Sequence, residues 1–465
     1  MVPEKYLDDA RPGAPGATRL EALPALLLAA FLGAAACVPD EAILRSKVTW
    51  TEGLLLLAAT SALLVQIREG RVRVPWLPLL LGGLLPAAIA LLLTLTRADL
   101  IGRSLARDEV ERLLLFPLAF WTVASTACRP WARRLFVGAL SLAVMVVAAV
   151  AVAQHLANGL GLPLDRYERP PSTFGNPVFL AAFLVLTTPL CAAEALYASG
   201  WRRWTGAVAT GLALPALHAT QSRWAWLAFA VAVGLGVTLL APAGRPRLRL
   251  LAGLAALGLL ALWLNRSVLS RPQQHALIWR DTAAMVAERP WGIGPGQFPL
   301  AFLDYSSREL LEAYPPSAYV INDAHSEPLQ ILAELGWPGL AAVALLALAL
   351  LRRAARSLAD PAADPAERPL RVACLAALVG AIAQSFGSPD LRFVVSTMVF
   401  GTVAGLAASF VEPPALRVPG SRALRLALGL LVLLGAGWAL AGVWQRLELA
   451  ELLQPTAAVR PDERA

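Results

Sequence analysis

Residues Asn265 to Glu327 form the one long polar stretch in a chain otherwise built of apolar runs, and it ends in Asp323-Ala-His325-Ser-Glu327. A neutral imidazole near pH 7 can take a proton from an attacking hydroxyl. A carboxylate two residues away on either side, Asp323 or Glu327, could hold its tautomer. A solitary histidine at a membrane boundary can equally be a tolerated surface group, so spacing alone makes His325 a candidate base and no more. Glu334 follows two turns later in Ala-Glu334-Leu-Gly336-Trp337-Pro338. It would lie inside the bilayer edge, where a carboxylate needs a partner, and helix packing through a hydrogen bond suits it as well as catalysis does.

The cations suggest what such a base would work beside. Thr220-Gln-Ser-Arg223-Trp224-Ala-Trp226 puts an arginine between the end of one apolar run and the start of the next. A charge at that depth is a functional candidate by default; the alternative is an arginine snorkelling between interfacial tryptophans. The polar stretch itself reads Arg271-Pro-Gln-Gln-His275-Ala-Leu277-Ile278-Trp279-Arg280-Asp281, and Leu277, Ile278, Ala284 and Met285 recur at roughly helical spacing. This predicts an amphipathic helix over 274–288 on the membrane surface, with Arg280 offered to a lipid phosphate or else paired with Asp281 or Glu288. Trp291-Gly-Ile-Gly294-Pro-Gly296 is a tight turn rather than a dinucleotide fingerprint, because a proline interrupts it and no strand precedes it.

Other chemistries lack their residues. No Gly-x4-Gly-Lys-Ser/Thr, Asp-x-Asp or CxxC occurs, so the sequence implies no nucleotide, metal or other cofactor. Cys37, Cys128, Cys191 and Cys374 stand singly in or beside apolar runs and read as packing residues. A departing diphosphate would have to be stabilised by arginines, whose forked donors match phosphate oxygens.

These groups need elements to position them, and composition says which. Of 465 residues, 57% are hydrophobic and 15% charged, with mean hydropathy +0.61; soluble domains carry about 25% charged residues. Runs long enough to span a bilayer fall near 20–38, 50–66, 76–96, 112–128, 134–157, 177–199, 204–220, 224–241, 248–264, 328–351, 370–387, 392–411 and 424–444. The expected fold is therefore an all-α polytopic membrane protein of about 12–13 helices. It divides into a tail (1–19), a first helix set (20–264), the polar loop (265–327), a second helix set (328–444) and a C-terminal tail (445–465). The 204–220 run is the weakest, interrupted by Pro215, His218 and Thr220. The net charge of +8 is not pooled as nucleic-acid binding would need. It recurs in alternate connections: Arg68/Arg71/Arg73, Arg129/Arg133/Arg134, Arg202/Arg203, Arg245/Arg247/Arg249, Arg352 to Arg371, and Arg417/Arg422/Arg425. The positive-inside rule then places the N-terminus in the cytoplasm and the 265–327 loop outside.

Taken in order, Arg169-Pro-Pro-Ser-Thr-Phe-Gly-Asn-Pro, Gln-Ser-Arg223-Trp-Ala, Ile-Trp279-Arg-Asp-Thr, Pro290-Trp-Gly-Ile-Gly-Pro-Gly-Gln-Phe298 and His325-Ser-Glu-Pro-Leu-Gln-Ile-Leu-Ala-Glu334-Leu-Gly336 resemble the bacterial O-antigen ligase and polymerase family. The resemblance covers roughly 165–345. It implies an inner-membrane glycosyltransferase with a periplasmic loop, working without metal or nucleotide. Its donor would be an undecaprenyl-diphosphate-linked glycan. The acceptor would be lipid A core, a further repeat unit in a polymerase, or a protein, and membrane lipids and a chain-length regulator are further candidate partners. By that likeness Arg223 would hold the donor diphosphate and His325 would be the base or orient the acceptor hydroxyl. The family often has an arginine where an ungapped reading gives His275. Arg280 is the expected substitute, with His275, Arg271, Arg169, Glu327 and Glu334 as supporting residues. The rival class is a transporter, which should show midplane charges or inverted repeats; the polar groups here collect at one face.

Overall fold

The computed structural model describes residues 19–39, 46–74, 84–93 except 87, 100–160, 167–250 except 243, 252, 275–411 except 318 and 362, 415–418 and 421–457. Its long helices are α1 (Arg19–Cys37), α2 (Ser46–Glu69), α3 (Leu100–Thr126), α4 (Pro130–Leu160), α5 (Pro177–Tyr197), α6 (Gly200–Ala219), α7 (Arg223–Leu240), α8 (His275–Glu288), α9 (Glu327–Leu358), α10 (Arg368–Ser385), α11 (Val394–Ala408) and α12 (Arg422–Ala457). A two-stranded ribbon, β1 (Arg71–Arg73) with antiparallel β2 (Ala415–Arg417), ties the end of α2 to the start of α12. Among the described residues, six helices are long and apolar enough to cross a membrane, and shorter apolar helices lie at 21–37, 84–93 and 394–408. The expected all-α polytopic architecture is what the chain adopts. The 248–264 span and Arg271 lie almost wholly or wholly outside the described residues.

The interrupted 204–220 run, read as the weakest of the spans, is a helix, α6, with Pro215 tolerated inside it, and one expectation changes in detail. The charged segment between the 76–96 and 112–128 runs, left outside the expected spans, is helical from Leu100 onward. Two of its charges are buried and paired, Arg112 with Glu109 one turn earlier at 2.6 Å.

The core is built of small side chains meeting across helices, as membrane packing favours. Gly401 and Gly405, one turn apart on α11, show the closest approach. A Cβ at either would lie 2.7 Å and 2.5 Å from the backbone oxygens of Phe116 and Phe120 on α3. Because the helices alternate in direction, the starts of α2, α5, α7, α9 and α11 share one end of the bundle with the finishes of α1, α4, α6 and α10. The basic connections gather at the other. There Arg129 bridges Glu21 and Glu69, and Arg133 and Arg371 share Glu367.

Candidate active site

Four separate segments at the first of these ends bring a cationic and imidazole cluster together. His325 sits between the polar stretch and α9 with a left-handed backbone, φ 49°. That conformation is uncommon outside glycine and is stored where surrounding contacts over-determine it. The contacts are local. Asp323 Oδ1 accepts from the His325 backbone N–H at 2.8 Å, and Gln330, a turn inside α9, accepts from Ala324 N–H at 2.7 Å. The same Asp323 oxygen lies 3.0 Å from His325 Nδ1. A proton on Nδ1 is therefore held by the carboxylate, leaving Nε2 to accept another. Asp323 is mostly buried, which alone would raise its pKa. The His325 ring and backbone hydrogen bonds reverse this and hold it below the usual carboxylate range.

His275, the first residue of α8, places its ring 4.4 Å from that of His325, edge to face. Desolvation of its ring comes first, then the neighbouring His325, and together with Arg223 and Arg169 they outweigh the attraction of Asp323. The imidazole titrates at about 4. His275 is thus neutral throughout the range in which a histidine base works. Trp279, one turn along α8, faces Trp224 with ring centroids 6.4 Å apart, forming an aromatic wall beside the imidazoles.

The arginines arrive on two turns that touch. Arg223 is the first residue of α7, placed there by the Ser222 side chain, which accepts from Ala225 N–H, and by left-handed Gln221, φ 52°. A cation at a helix N-terminus is disfavoured by the helix dipole, whereas an anion there is favoured. The start of α7 with Arg223 on it is thus suited to a group of negative charge. Arg169 Nε donates to the Thr220 carbonyl at 2.9 Å, joining its loop to that turn. The Arg169 loop is pinned in turn. Left-handed Ser172, φ 52°, bonds Gln154 Oε1 and the Val147 carbonyl, and buried Lys47 donates to Thr173 while lying 4.0 Å above the Phe174 ring. The three non-glycine residues with positive φ among the described residues are Ser172, Gln221 and His325. Each lies in a segment delivering one of these functional side chains.

Other sequence candidates fall elsewhere. The Arg280 guanidinium is held by Asp281 (3.1 Å), Glu309 (2.7 Å) and Ser307 (2.6 Å), bracing α8 against the short helix Arg308–Ala313. Five residues from His275, it points about 140° away around the helix. Glu327 is buried, lining a cavity beside a charged network that sequence reading missed. Arg392 bridges Glu109 (2.9 Å) and Glu334 (3.1 Å), while Arg112 bonds Glu109 and the Leu391 carbonyl. Glu334 thereby has its partner, and its second oxygen accepts from Phe298 N–H at 3.3 Å.

The glycine turn explains how α9 can start where it does. At Gly336, φ 67° and ψ −170°, the helix breaks. Pro338 cannot donate to the Glu334 carbonyl, and Gly294 N–H does so instead, at 3.0 Å. Ile293 N–H takes the Ala333 carbonyl at 2.9 Å, and Trp337 N–H turns to Pro290 at 3.1 Å. A Cβ on Gly292 would stand 2.4 Å from the Glu334 oxygen, and one on Gly336 would stand 2.4 Å from the Trp291 carbonyl carbon. Two backbones meet here, and only glycine allows it.

No group of His, Cys, Asp and Glu among the described residues has the arrangement of a metal site. In comparison with known proteins, residues 208–344 match the O-antigen ligase family. That stretch contains Arg223, His275, Asp323, His325 and Glu334, and leaves Arg169, Glu109 and Arg392 outside it. No curated protein matches the chain significantly.

Proposed function

Because this chain is a polytopic membrane protein carrying a domain of the O-antigen ligase family, we propose that it transfers a glycan from an undecaprenyl-diphosphate carrier to an acceptor hydroxyl, that of lipid A core, at the periplasmic face of the inner membrane. The observation that carries this reading is the meeting of Arg169 and Arg223, from two touching turns, with the Asp323–His325 pair at the bundle end opposite the basic connections. Those connections face the cytoplasm in this reading, as the positive-inside rule requires.

The acceptor oxygen attacks the anomeric carbon and gives its proton to His325 Nε2, whose tautomer Asp323 fixes through Nδ1–H. The bond from the anomeric carbon to the diphosphate oxygen breaks on the opposite side, so a single displacement inverts the centre. The charge developing on the leaving diphosphate falls to Arg223 and Arg169, whose bidentate donors suit it. His275, neutral beside them, adds no charge to the acceptor side. Arg169 replaces Arg280 as the second phosphate ligand in this proposal, because Arg280 is engaged by Glu309 and Ser307.

A deletion strain tests the reading and its acceptor. Lipopolysaccharide on a gel is paired with mass spectrometry of the undecaprenyl-linked pool. Long polymer stranded on the carrier over bare lipid A core is the expected result. Single repeats on carrier and core would instead assign a polymerase, and two unchanged pools would refute both.

A further inference from the structure

We propose that the cavity enclosed by α3, α5, α9, α10 and α11 is a binding site for a single-chain lipid with an uncharged, hydroxyl-bearing head group. Its lining adjoins the His325 turn through Glu327 and Gln330 but includes none of Arg169, Arg223, His275, Asp323 and His325, and the proposal stands whether or not glycan transfer is the reaction. The cavity has a volume of about 440 Å³ and lies along α9 from Glu327 to Leu350. α9 breaks at Gly336 within that stretch, and the part from Gly336 to Leu350 runs roughly 20 Å at 1.5 Å per residue, well over half the hydrocarbon thickness of a bilayer. Its shaft is apolar, walled by Phe116, Phe183, Leu186, Leu346, Val399 and Phe400. A volume of this size drawn out over such a length accommodates one chain, not a bundle of them.

The polar end argues for a ligand and for its kind. Glu327, Gln330, Gln384 and Ser396 line the cavity there, at 2%, 2%, 0% and 7% exposure. Glu327 Oε1, Gln330 Nε2, Gln384 Oε1 and Ser396 Oγ have no hydrogen-bond partner in the protein. Folded proteins rarely bury several such atoms around one space without something to satisfy them. Both acceptors and a donor are on offer, which matches a hydroxyl: it can donate to Glu327 or Gln384 and accept from Gln330. An anionic head is poorly matched. The two arginines at this end are already bonded to Glu109, Glu334 and the Leu391 carbonyl. Charge therefore directs a diphosphate to Arg223 and Arg169 and a neutral hydroxylated lipid to this cavity.

The test uses the full chain in nanodiscs with a diazirine-bearing monoacylglycerol, irradiated and mapped by mass spectrometry. Adducts are expected on cavity-lining residues of α9 to α11. Unlabelled monoacylglycerol should compete them away, whereas lysophosphatidic acid and farnesyl diphosphate should not. Ala347→Trp, which fills the shaft, and Gln384→Leu, which removes a polar contact, should each lower labelling about tenfold. If Ala347→Trp does not fold, Gln384→Leu decides alone. Adducts elsewhere, equal competition by the phosphate-headed lipids, or undiminished labelling of a folded variant would overturn the proposal. The readout needs no turnover, so failure of the transferase reading would leave this result interpretable.

Discussion

At the scale of single residues, the roles divide by charge state. Asp323 is held ionised below the ordinary carboxylate range and His275 is neutral above about pH 4. Neither changes charge between pH 5 and 8. The sign follows for each. Asp323, with its pKa depressed, contributes stability that is present above its unfolded value and lost as pH falls through the folded one. His275, also depressed, contributes stability that is full above its unfolded value near 6.5 and lost as pH falls toward 4. An acid limb of a kcat/KM profile between pH 5 and 8 should therefore owe nothing to either group. His275→Gln should leave that limb in place, and a limb that vanished in His275→Gln would contradict the assignment. Asp323→Asn should lower kcat by about a hundredfold with donor KM little changed, since it disturbs the base and not the phosphate site. Arg223→Lys should lose about a hundredfold in kcat/KM, because an ammonium cannot replace the fork. Arg280→Ala should stay within roughly twofold of the parent. A reversal of those last two would move the phosphate site to α8. The sequence pointed to Arg280 because an ungapped reading placed it near the expected arginine; what it could not convey is the rotation around α8 that sends His275 to the site and Arg280 to Glu309.

At the scale of elements, the site depends on a broken helix. The half of α9 that follows His325 and bears Gln330 and Glu334 is separated from the rest at Gly336, and the Trp291–Gly296 turn supplies the hydrogen bonds lost there. Backbone with φ near +67° and extended ψ is essentially restricted to glycine and costs other residues about 1–3 kcal/mol. The 2.4 Å contact would add to that. Gly336→Ala should accordingly lower the melting temperature of the purified protein by several degrees and reduce its activity, whereas Gly435→Ala, where nothing lies within 4 Å, should do neither. A Gly336→Ala protein that melted with the parent would mean that α9 need not break. The glycines, the proline and Glu334 were all legible as a turn and a buried carboxylate. Their union was not, because Trp291 and Gly336 meet across 45 residues through backbone atoms that carry no sequence signal. Arg392 and Glu109 were missed for a related reason. Each reads alone as a charge at a membrane boundary, and only folding sets them around Glu334.

At the scale of the whole molecule, apolar runs and alternating arginines were enough to define an all-α membrane protein and to separate its two ends. The network at the site end joins α3, α9 and the α10–α11 connection through Glu109, Glu334 and Arg392. Removing one member of such a buried set strands the others, at a cost of about 3–5 kcal/mol. Arg392→Ala should thus reduce folded protein in the membrane, and Glu334→Gln with Arg392→Gln together should recover part of it; abundance equal to the parent in Arg392→Ala would show the bridge to be dispensable. The most direct test of the site is reconstitution. Protein in nanodiscs is given an undecaprenyl-diphosphate-linked glycan and lipid A core, without added metal or nucleotide, and the product lipid is followed by mass spectrometry. Glycan-bearing lipid A core from the parent, and at least about a hundredfold less from folded His325→Ala and Arg223→Ala, is the expected result. Equal product from those variants, or none from the parent with any hydroxyl acceptor, would contradict it.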